Sequence, residues 1–164
     1  MEVFQFKSIG IIHTPHTEPE LTPIQPVFAT HIQGTVTVDE EYVDGLLDLN
    51  KFSHIYLLYV FHEAHETNLR ISPYLQDTPH GVFSTRHVCR PNKIGFSVVR
   101  LLSIEGATLQ VEDVDMLDGT PLLDIKPFIK RFDVREDVQS GWQDEVSDEV
   151  ADKRGLRGYS EDHE

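Results

Sequence analysis

Residues 94–117, "IGFSVVRLLSIEGATLQVEDVDML", decide the fold class. Apolar and β-branched residues run through 94–104 and again through 107–117, and Glu105-Gly106 stands between the two runs. A short break containing glycine between two such runs is the usual signature of a β-hairpin. This stretch therefore predicts two antiparallel strands that neighbour each other in sequence.

The same strand signal recurs on both sides of the hairpin. "FQFKSIGIIHT" (4–14) predicts an opening strand, "GTVTVD" (34–39) alternates with period two, and "HIYLLYVFH" (54–62) reads as a buried strand. "DGTPLLDIKPFI" (118–129) predicts a tight turn and then an extended segment. We therefore expect a mainly β chain: a small antiparallel β-barrel, or a sandwich, with a short helix and a C-terminal tail.

Helical spacing occurs in two places. "DEEYVDGLLDL" (39–49) places apolar residues at helical spacing behind Asp39 as a possible cap, which predicts the short helix. After residue 133, apolar residues recur every four positions, although Gly141 interrupts them: Val134, Val138, Trp142, Val146 and Val150. We predict a barrel domain over 1–133 and an acidic tail over 134–164, partly helical or disordered, with mobile last ten residues.

Length and composition limit the class of protein. The chain has 164 residues, 39% hydrophobic and 26% charged, which fits one soluble globular domain. Its longest apolar run, Ile55–Phe61, is far shorter than a membrane span, and its first residues lack the features of a signal peptide. The single cysteine, Cys89, excludes an internal disulfide and suits the reducing cytoplasm.

The net charge of −14 argues mildly against a nucleic-acid partner. The basic residues are nevertheless concentrated in two windows that contain almost no acid. The first window holds Arg86, Arg90, Lys93 and Arg100, and the second holds Lys126, Lys130, Arg131 and Arg135. Two basic strips on an acidic body remain compatible with an anionic ligand, beside the simpler reading of solvated surface arginines.

Two common kinds of site find no support in the motifs. The chain has no glycine-rich phosphate or dinucleotide motif, so a Rossmann-type cofactor site is not expected. The histidines of "HEAH" (62–65) lack the spacing of a metalloprotease helix, and on an extended chain they face opposite sides. We predict no metal, and Cys89 is more simply a small buried group than a nucleophile.

The segment "HGVFSTRHVCRPNKIG" (80–95) is the best candidate for a binding loop. It combines arginines, which offer a planar fork for anions and a flat face for stacking, with glycines that let a ligand approach the backbone. His62 closes a strand, where it is either an acid–base group or a structural histidine. Asp124 and Lys126 share a strand face, where they either hold a ligand or pair with each other.

Four segments together resemble, in the same order, the signature segments of the TsaA-like family. They are "FQFKSIGIIHTPH" (4–16), "FSHIYLLYVFH" (52–62), "GVFSTRHVCRPNKIG" (81–95) and "VDMLDGTPLLDIKPFI" (114–129). Members of this family are S-adenosylmethionine-dependent methyltransferases that act on N6 of adenosine 37, beside the tRNA anticodon. The resemblance implies a small β-barrel, this cofactor, a tRNA anticodon-loop partner and a homodimer.

The resemblance also implies site residues. Contacts to S-adenosylmethionine fall on Pro23, Ile24, Gln25, Phe61, His62, Arg86, Val98, Asp124, Ile125, Lys126 and Pro127. His62 and Asp124 are the candidates for a catalytic group. The candidates for RNA contact, beside Arg86, are Arg90, Lys93 and Lys130, since an unpaired loop is bound through phosphates and stacked bases.

Three departures from the family pattern bear on the substrate. The proline-rich loop reads "PIQ" (23–25) where many relatives have a central arginine, and Lys93 stands where proline is common. Only an acidic tail follows the shared region, where longer relatives carry a further domain. Two alternatives therefore stay open: a small-molecule methyltransferase on the same barrel, and a non-catalytic module that binds S-adenosylmethionine.

Overall fold

The computed structural model describes residues 2–160. Its strands are β1 (Gly10–His13), β2 (Gln33–Val38), β3 (His54–Val60), β4 (Arg70–Ile71), β5 (His80–Gly81), β6 (Ile94–Glu105), β7 (Thr108–Glu112) and β8 (Thr120–Pro127). Its α-helices are α1 (Lys130–Asp133) and α2 (Asp148–Lys153). Short 3-10 helices span Pro19–Leu21, Pro26–Phe28, Glu40–Leu46, Leu49–Lys51, Val82–Ser84 and Gly141–Glu145. None of the helices in this part of the chain has the length and apolar character to cross a bilayer.

Six strands close into an antiparallel barrel in the order β1-β2-β7-β6-β3-β8. β8 closes the barrel by pairing with both β1 and β3. The predicted hairpin is confirmed: β6 and β7 pair with Glu105 opposite Thr108, and Gly106 takes a positive φ of 61° in the turn. β4 and β5 form a separate two-stranded ribbon within the long connection between β3 and β6.

Alternation along the strands fills the barrel interior. In β3, Ile55, Leu57 and Tyr59 point inward and are buried, while the residues between them lie on the outer face. Similar alternation in β2, β6 and β7 completes one apolar core. The mainly β prediction follows from this pattern and is confirmed by the closed barrel.

The prediction of a strand beginning near Phe4 is wrong. β1 starts only at Gly10, and the side chains of Phe4 and Phe6 are each 71% exposed. The alternation of apolar residues in 4–9 is real, but no neighbouring strand pairs with residues 4–8. Without a hydrogen-bonded partner, alternation does not produce a strand.

The predicted short helix is a 3-10 helix over Glu40–Leu46 rather than an α-helix. Asp39 makes no side-chain capping hydrogen bond, and Leu47 is 83% exposed. Gly45 lies inside this stretch, where it weakens helix formation, and the tighter turn leaves Tyr42 and Leu46 packed on the core.

Residues 134–160, here called the C-terminal segment, are not one amphipathic helix. A 3-10 helix begins at Gly141, which has a positive φ of 61°, and within the described part of the segment only α2 is α-helical. Val138 is 68% exposed, so the four-residue repeat does not form a buried stripe. The domain boundary at residue 133 stays a prediction.

The C-terminal segment folds back onto the barrel domain. Leu156 forms a β-bridge with Pro23, and the Ile24 N–H donates to the Gly155 carbonyl at 2.9 Å. Trp142 donates its indole N–H to the Ser84 carbonyl at 2.8 Å. Residues 155–158 make backbone hydrogen bonds to residues 20–24, the expected mobility of the last ten residues stays a prediction, and 161–164 lie outside the described residues.

Candidate functional site

Three adjoining cavities lie where the proline-rich loop, the 80–95 loop and the C-terminal segment meet the barrel. The Trp142 cavity has a volume of about 830 Å³. The arginine cavity, of about 500 Å³, is lined by Arg86, Arg90 and Arg157. The His62 cavity, of about 220 Å³, shares Phe61 and Arg157 with the arginine cavity. The volumes of the two larger cavities lie in the range of small-molecule sites.

The arginine cavity brings together several residues predicted from the sequence. Ile24 and Gln25 come from the proline-rich loop, Phe61 from the end of β3, and Arg86 from the 80–95 loop. Arg86 Nη1 donates to Gln25 Oε1 at 2.7 Å, and its guanidinium lies 4.8 Å from the centre of the Phe96 ring. A hydrogen bond and a cation–π contact therefore fix the Arg86 fork against the cavity wall.

The arginines of this cavity donate their hydrogen bonds to uncharged oxygen atoms. Arg86 bonds to an amide oxygen, Arg90 donates to the carbonyls of Thr85 and His87, and Arg157 donates to the carbonyl of Asp115. Within residues 2–160, none of these arginines forms an ion pair with an acid. Burial, together with the charges of Arg157 and Arg90, lowers the pKa of His87 to about 4. The cavity is therefore a positively charged site in an acidic chain.

A buried polar chain forms the floor beneath the arginines. The Tyr59 hydroxyl lies 2.9 Å from Ser97 Oγ, which donates to Asp115 Oδ1 at 2.6 Å. Asp115 is 1% exposed. Burial raises its pKa to about 6, although the Ser97 hydrogen bond and the Arg157 charge act in the opposite direction. The floor therefore gains its negative charge at a higher pH than an exposed aspartate would.

Gly95 shapes the wall between the floor and the aromatic residues. A Cβ at this position would lie 2.4 Å from the Tyr59 ring and 2.8 Å from the Phe61 ring. These rings meet edge to face, with centroids 5.5 Å apart. The glycine that the sequence marks for close approach therefore admits two aromatic rings.

His62 and Pro23 lie beside the arginine cavity. His62 lines the His62 cavity, with Nδ1 3.4 Å from Thr120 Oγ1 and Nε2 3.6 Å from a Glu63 oxygen. Its side chain is 26% exposed, so it is accessible from the cavity. Pro23 is buried, and its backbone holds Leu156 rather than facing a cavity.

Asp124–Pro127 line none of the three cavities. Asp124 and Lys126 form an ion pair of 2.7 Å on the outer face of the barrel, which is the simpler of the two alternatives that their spacing allows. Val98 and Lys126 are both register partners of Tyr56, and Tyr56 and Val98 line the Trp142 cavity. The structure thus places this group beside the Trp142 cavity and apart from His62.

Of the three RNA-contact candidates, one lines a cavity and two do not. Arg90 lies in the arginine cavity. The Lys93 ammonium donates to the Glu66 carbonyl and to Thr67 Oγ1, so it ties the 80–95 loop to the preceding loop. Lys130, the first residue of α1, is exposed and lines none of the three cavities. The described residues contain no group of three metal-ligating side chains placed to hold an ion.

Sequence patterns do not single out Asp115 or Arg157 as site residues. Asp115 stands in an acidic run whose members resemble turn residues, and its one local signal is the pair of apolar neighbours Val114 and Met116. Arg157 lies in the acidic tail, and its contact with Asp115 spans 42 positions of the chain. Only the folded arrangement brings these residues to one cavity.

Comparison with known proteins gives one family match. The model of the "tRNA-methyltransferase O N-terminal domain" matches residues 11–134. A probable S-adenosyl-L-methionine-binding protein of Pyrococcus abyssi is 53% identical over 130 residues, which cover 79% of this chain and 71% of that protein. The tRNA (adenine(37)-N6)-methyltransferase of Escherichia coli is 36% identical over 139 residues, which cover 79% of this chain and 59% of that enzyme.

The fold is also similar to a solved structure. TrmO from Pseudomonas aeruginosa superposes with a TM-score of 0.72 at 36% identity, covering 85% of this chain and 62% of that one. This chain therefore spans less than two thirds of the length of the E. coli enzyme and of the P. aeruginosa structure. Apart from its first residue, Val134, the C-terminal segment lies beyond the residues that the family model matches.

Proposed function

Because the chain belongs to the tRNA-methyltransferase O family, we propose that it is an S-adenosylmethionine-dependent methyltransferase that acts on N6 of adenosine 37 of tRNA, with or without a threonylcarbamoyl group. The observation that carries this proposal is the arginine cavity, where Ile24, Gln25, Phe61 and Arg86 meet. Family membership supports the reaction class, and the cavity supports a location for the reaction in this chain.

The residues of the cavity fit S-adenosylmethionine. Phe61, Phe83 and Phe96 offer flat apolar surfaces to an adenine ring, and the Arg86 fork matches a carboxylate. The buried negative charge of Asp115 and the aromatic rings suit a cationic centre. When bound, S-adenosylmethionine supplies a methyl group that is already activated by the sulfonium. The remaining family-implied contacts, Pro23, His62, Val98 and Asp124–Pro127, are part of the same proposal.

The contribution of the chain is to hold the reactants and to move one proton. Alignment of two bound groups is worth roughly 7–11 kcal/mol of the barrier in favourable cases. Of the two candidate catalytic groups, the geometry favours His62, which is accessible in a cavity that adjoins the arginine cavity. Asp124 is held in a surface ion pair with Lys126, so it is the weaker candidate for accepting the N6 proton.

For the tRNA, the guanidiniums, which form no direct ion pair within the described residues, support an anionic partner, and Arg90 is the RNA-contact candidate that lines the proposed cofactor cavity. Lys93 and Lys130 extend the proposed RNA contact outward from the cavity. A cytoplasmic homodimer belongs to the same proposal. The dimer is supported by large apolar side chains that lie exposed on the barrel domain, among them Val27, Phe83 and Phe132.

The test is methyl transfer from labelled S-adenosylmethionine to two tRNA pools, with and without threonylcarbamoyl on adenosine 37. We expect label in methylated adenosine from the wild-type protein, and a loss of at least tenfold in Arg86→Ala. Arg100→Ala is the matched control, because Arg100 lies on β6 outside the three cavities and contacts Glu112. Equal activity of both variants would place the cofactor elsewhere.

His62→Ala separates catalysis from binding in the same assay. If His62 accepts the N6 proton, kcat falls while the affinity for S-adenosylmethionine stays within about threefold of wild type. Full methylation at saturating cofactor would remove His62 from the chemistry.

A second candidate function is a module that binds S-adenosylmethionine without turnover. The favouring observation is that the Pyrococcus abyssi relative, which this chain resembles more than it does the E. coli enzyme, is described only as a binding protein. Cofactor binding without label in either tRNA pool would support this candidate. Label recovered in a small molecule would instead indicate a methyltransferase with another substrate.

A further inference from the structure

The C-terminal segment contributes a side chain to the arginine cavity. Arg157 lies beyond the residues matched by the family model, yet it lines both the arginine cavity and the His62 cavity. Its backbone N–H donates to the Thr22 carbonyl at 3.1 Å, and the next N–H, from Gly158, donates to the Glu20 carbonyl at 2.8 Å. These backbone bonds fix the position from which the Arg157 side chain extends toward the two cavities.

Within the described residues, the side chain of Arg157 donates one hydrogen bond, from Nη2 to the Asp115 carbonyl at 2.9 Å. A guanidinium has five N–H donors, so Arg157, which lines two cavities, has further donors to offer a ligand. The Asp115 carboxylate accepts from Ser97, and Arg157 makes no ion pair within the described part of the chain. The nearby Asp115 carboxylate interacts electrostatically with Arg157 without a direct ion pair, so an anionic ligand would give this partly buried charge a contacting partner.

The other arginines of the cavity are more fully engaged. Arg86 is bonded to Gln25 and lies over Phe96, while Arg90 donates to two carbonyls of its own loop. Arg86 and Arg157 each donate one side-chain hydrogen bond, but the guanidinium of Arg157 is not held over an aromatic ring, so its fork is the one left to meet a planar, two-oxygen acceptor.

Anchoring of the C-terminal segment does not require this side chain. The segment is held by the bridge between Leu156 and Pro23, by the Trp142 indole bond to Ser84, and by the ion pair of Arg154 with Asp77. A structural role would leave the placement of Arg157 in two cavities unexplained.

We propose that Arg157 binds a carboxylate of the ligand that occupies the arginine cavity. This inference rests on the proposed function, which offers two sources of that group: the amino-acid end of S-adenosylmethionine, and the threonyl carboxylate of a modified adenosine 37. Both present two oxygens in the geometry that a guanidinium fork accepts.

The first arm measures affinity by calorimetry, with S-adenosylmethionine and with its decarboxylated analogue. Arg157→Met keeps the apolar stem and removes the charge. If the cofactor supplies the carboxylate, this variant binds S-adenosylmethionine about tenfold to a hundredfold more weakly and the decarboxylated analogue with unchanged affinity. Arg135→Met is the matched control, because Arg135 is exposed and bonds only to its neighbour's carbonyl. Arg135→Met should bind S-adenosylmethionine and the decarboxylated analogue with the affinity of the wild type.

The second arm measures binding of an anticodon stem-loop RNA with and without threonylcarbamoyl on adenosine 37. If the substrate supplies the carboxylate, Arg157→Met loses affinity for the modified RNA alone, and its affinity for S-adenosylmethionine is unchanged. Arg157→Lys should restore part of the affinity in whichever arm responds, since it keeps the charge without the fork.

The proposal is overturned if Arg157→Met binds all four ligands like wild type, or loses acid-bearing and acid-lacking ligands equally. Circular dichroism and thermal unfolding of the variant confirm that its fold is retained. The two failures are distinguishable: a wild-type protein that transfers no methyl group to tRNA contradicts the proposed function, whereas the calorimetric arm still decides the role of Arg157.

Discussion

The barrel and the C-terminal segment are held by different kinds of contact. The barrel has a continuous ladder of paired strands around residues such as Ile55, Leu57 and Val99, which are fully buried. The C-terminal segment has short helices and rests on a few polar bonds to distant loops. We infer that the apolar core accounts for most of the stability, whereas the C-terminal segment helps to shape the cavities and adds one arginine to them.

The largest effect is expected in the barrel core. Leu57→Ala removes a fully buried side chain, and we expect a loss of about 2–5 kcal/mol in the free energy of unfolding, measured by urea denaturation. Leu58→Ala is the matched control, because Leu58 lies on the outer face of the same strand. Equal losses in the two variants would break the division between a core and its surface.

An intermediate effect is expected at the cavity floor. The pKa of Asp115 is raised from 3.8 to about 6, so the folded protein holds this proton to higher pH than the unfolded chain. The stability present below pH 4 is therefore lost as pH rises through about 6, by about 3 kcal/mol. Relative to wild type, Asp115→Asn should become more stable by about this amount between pH 4 and 7 in urea denaturation.

Asp118→Asn provides a control of opposite sign for the floor. Hydrogen bonds from His13 and Thr14 lower the pKa of Asp118, so its stabilising contribution is present above its ordinary pKa and is lost on acidification. This variant should lose stability relative to wild type as pH rises. The same pH trend in both variants would contradict the distinction between a buried and an exposed carboxylate.

The smallest effect is expected in the C-terminal segment. Trp142→Ala removes the indole bond to Ser84 and the stacking on His80, which together are worth about 1–2 kcal/mol. We expect limited proteolysis to cut the segment faster while hydrogen exchange in β3 and β6 stays unchanged. Val138→Ala, at an exposed site of the same segment, serves as the control. Faster exchange in the barrel would show that the two regions unfold together.

The sequence predicted the parts of the fold that local pattern determines. The hairpin at Gly106, the buried strand at 54–60 and the turn before β8 are all found where alternation and turn residues place them. Phe4 and Phe6 show the limit, because alternation predicts a strand only if a partner strand lies beside it. Gly141 shows a second limit of prediction from sequence, because this one residue with positive φ interrupts the apparent helical repeat.

The candidate site was predictable where it lies in the quoted loops. Gln25, Phe61 and Arg86 meet in one cavity, although their cofactor contacts stay a prediction. Asp115 and Arg157 were missed because their importance comes from a contact between remote parts of the chain. Neither residue type nor spacing carries that information.

The bridge between Pro23 and Leu156 also has a consequence for the order of assembly. The two residues lie 133 positions apart (156 minus 23), so during synthesis the proline-rich loop leaves the ribosome long before its partner. The β6–β7 hairpin needs only local contacts and can form early, whereas contacts between remote residues form late. We expect a nascent chain to acquire its barrel first and its arginine cavity later, so that ligand affinity appears only after Arg157 has left the ribosome.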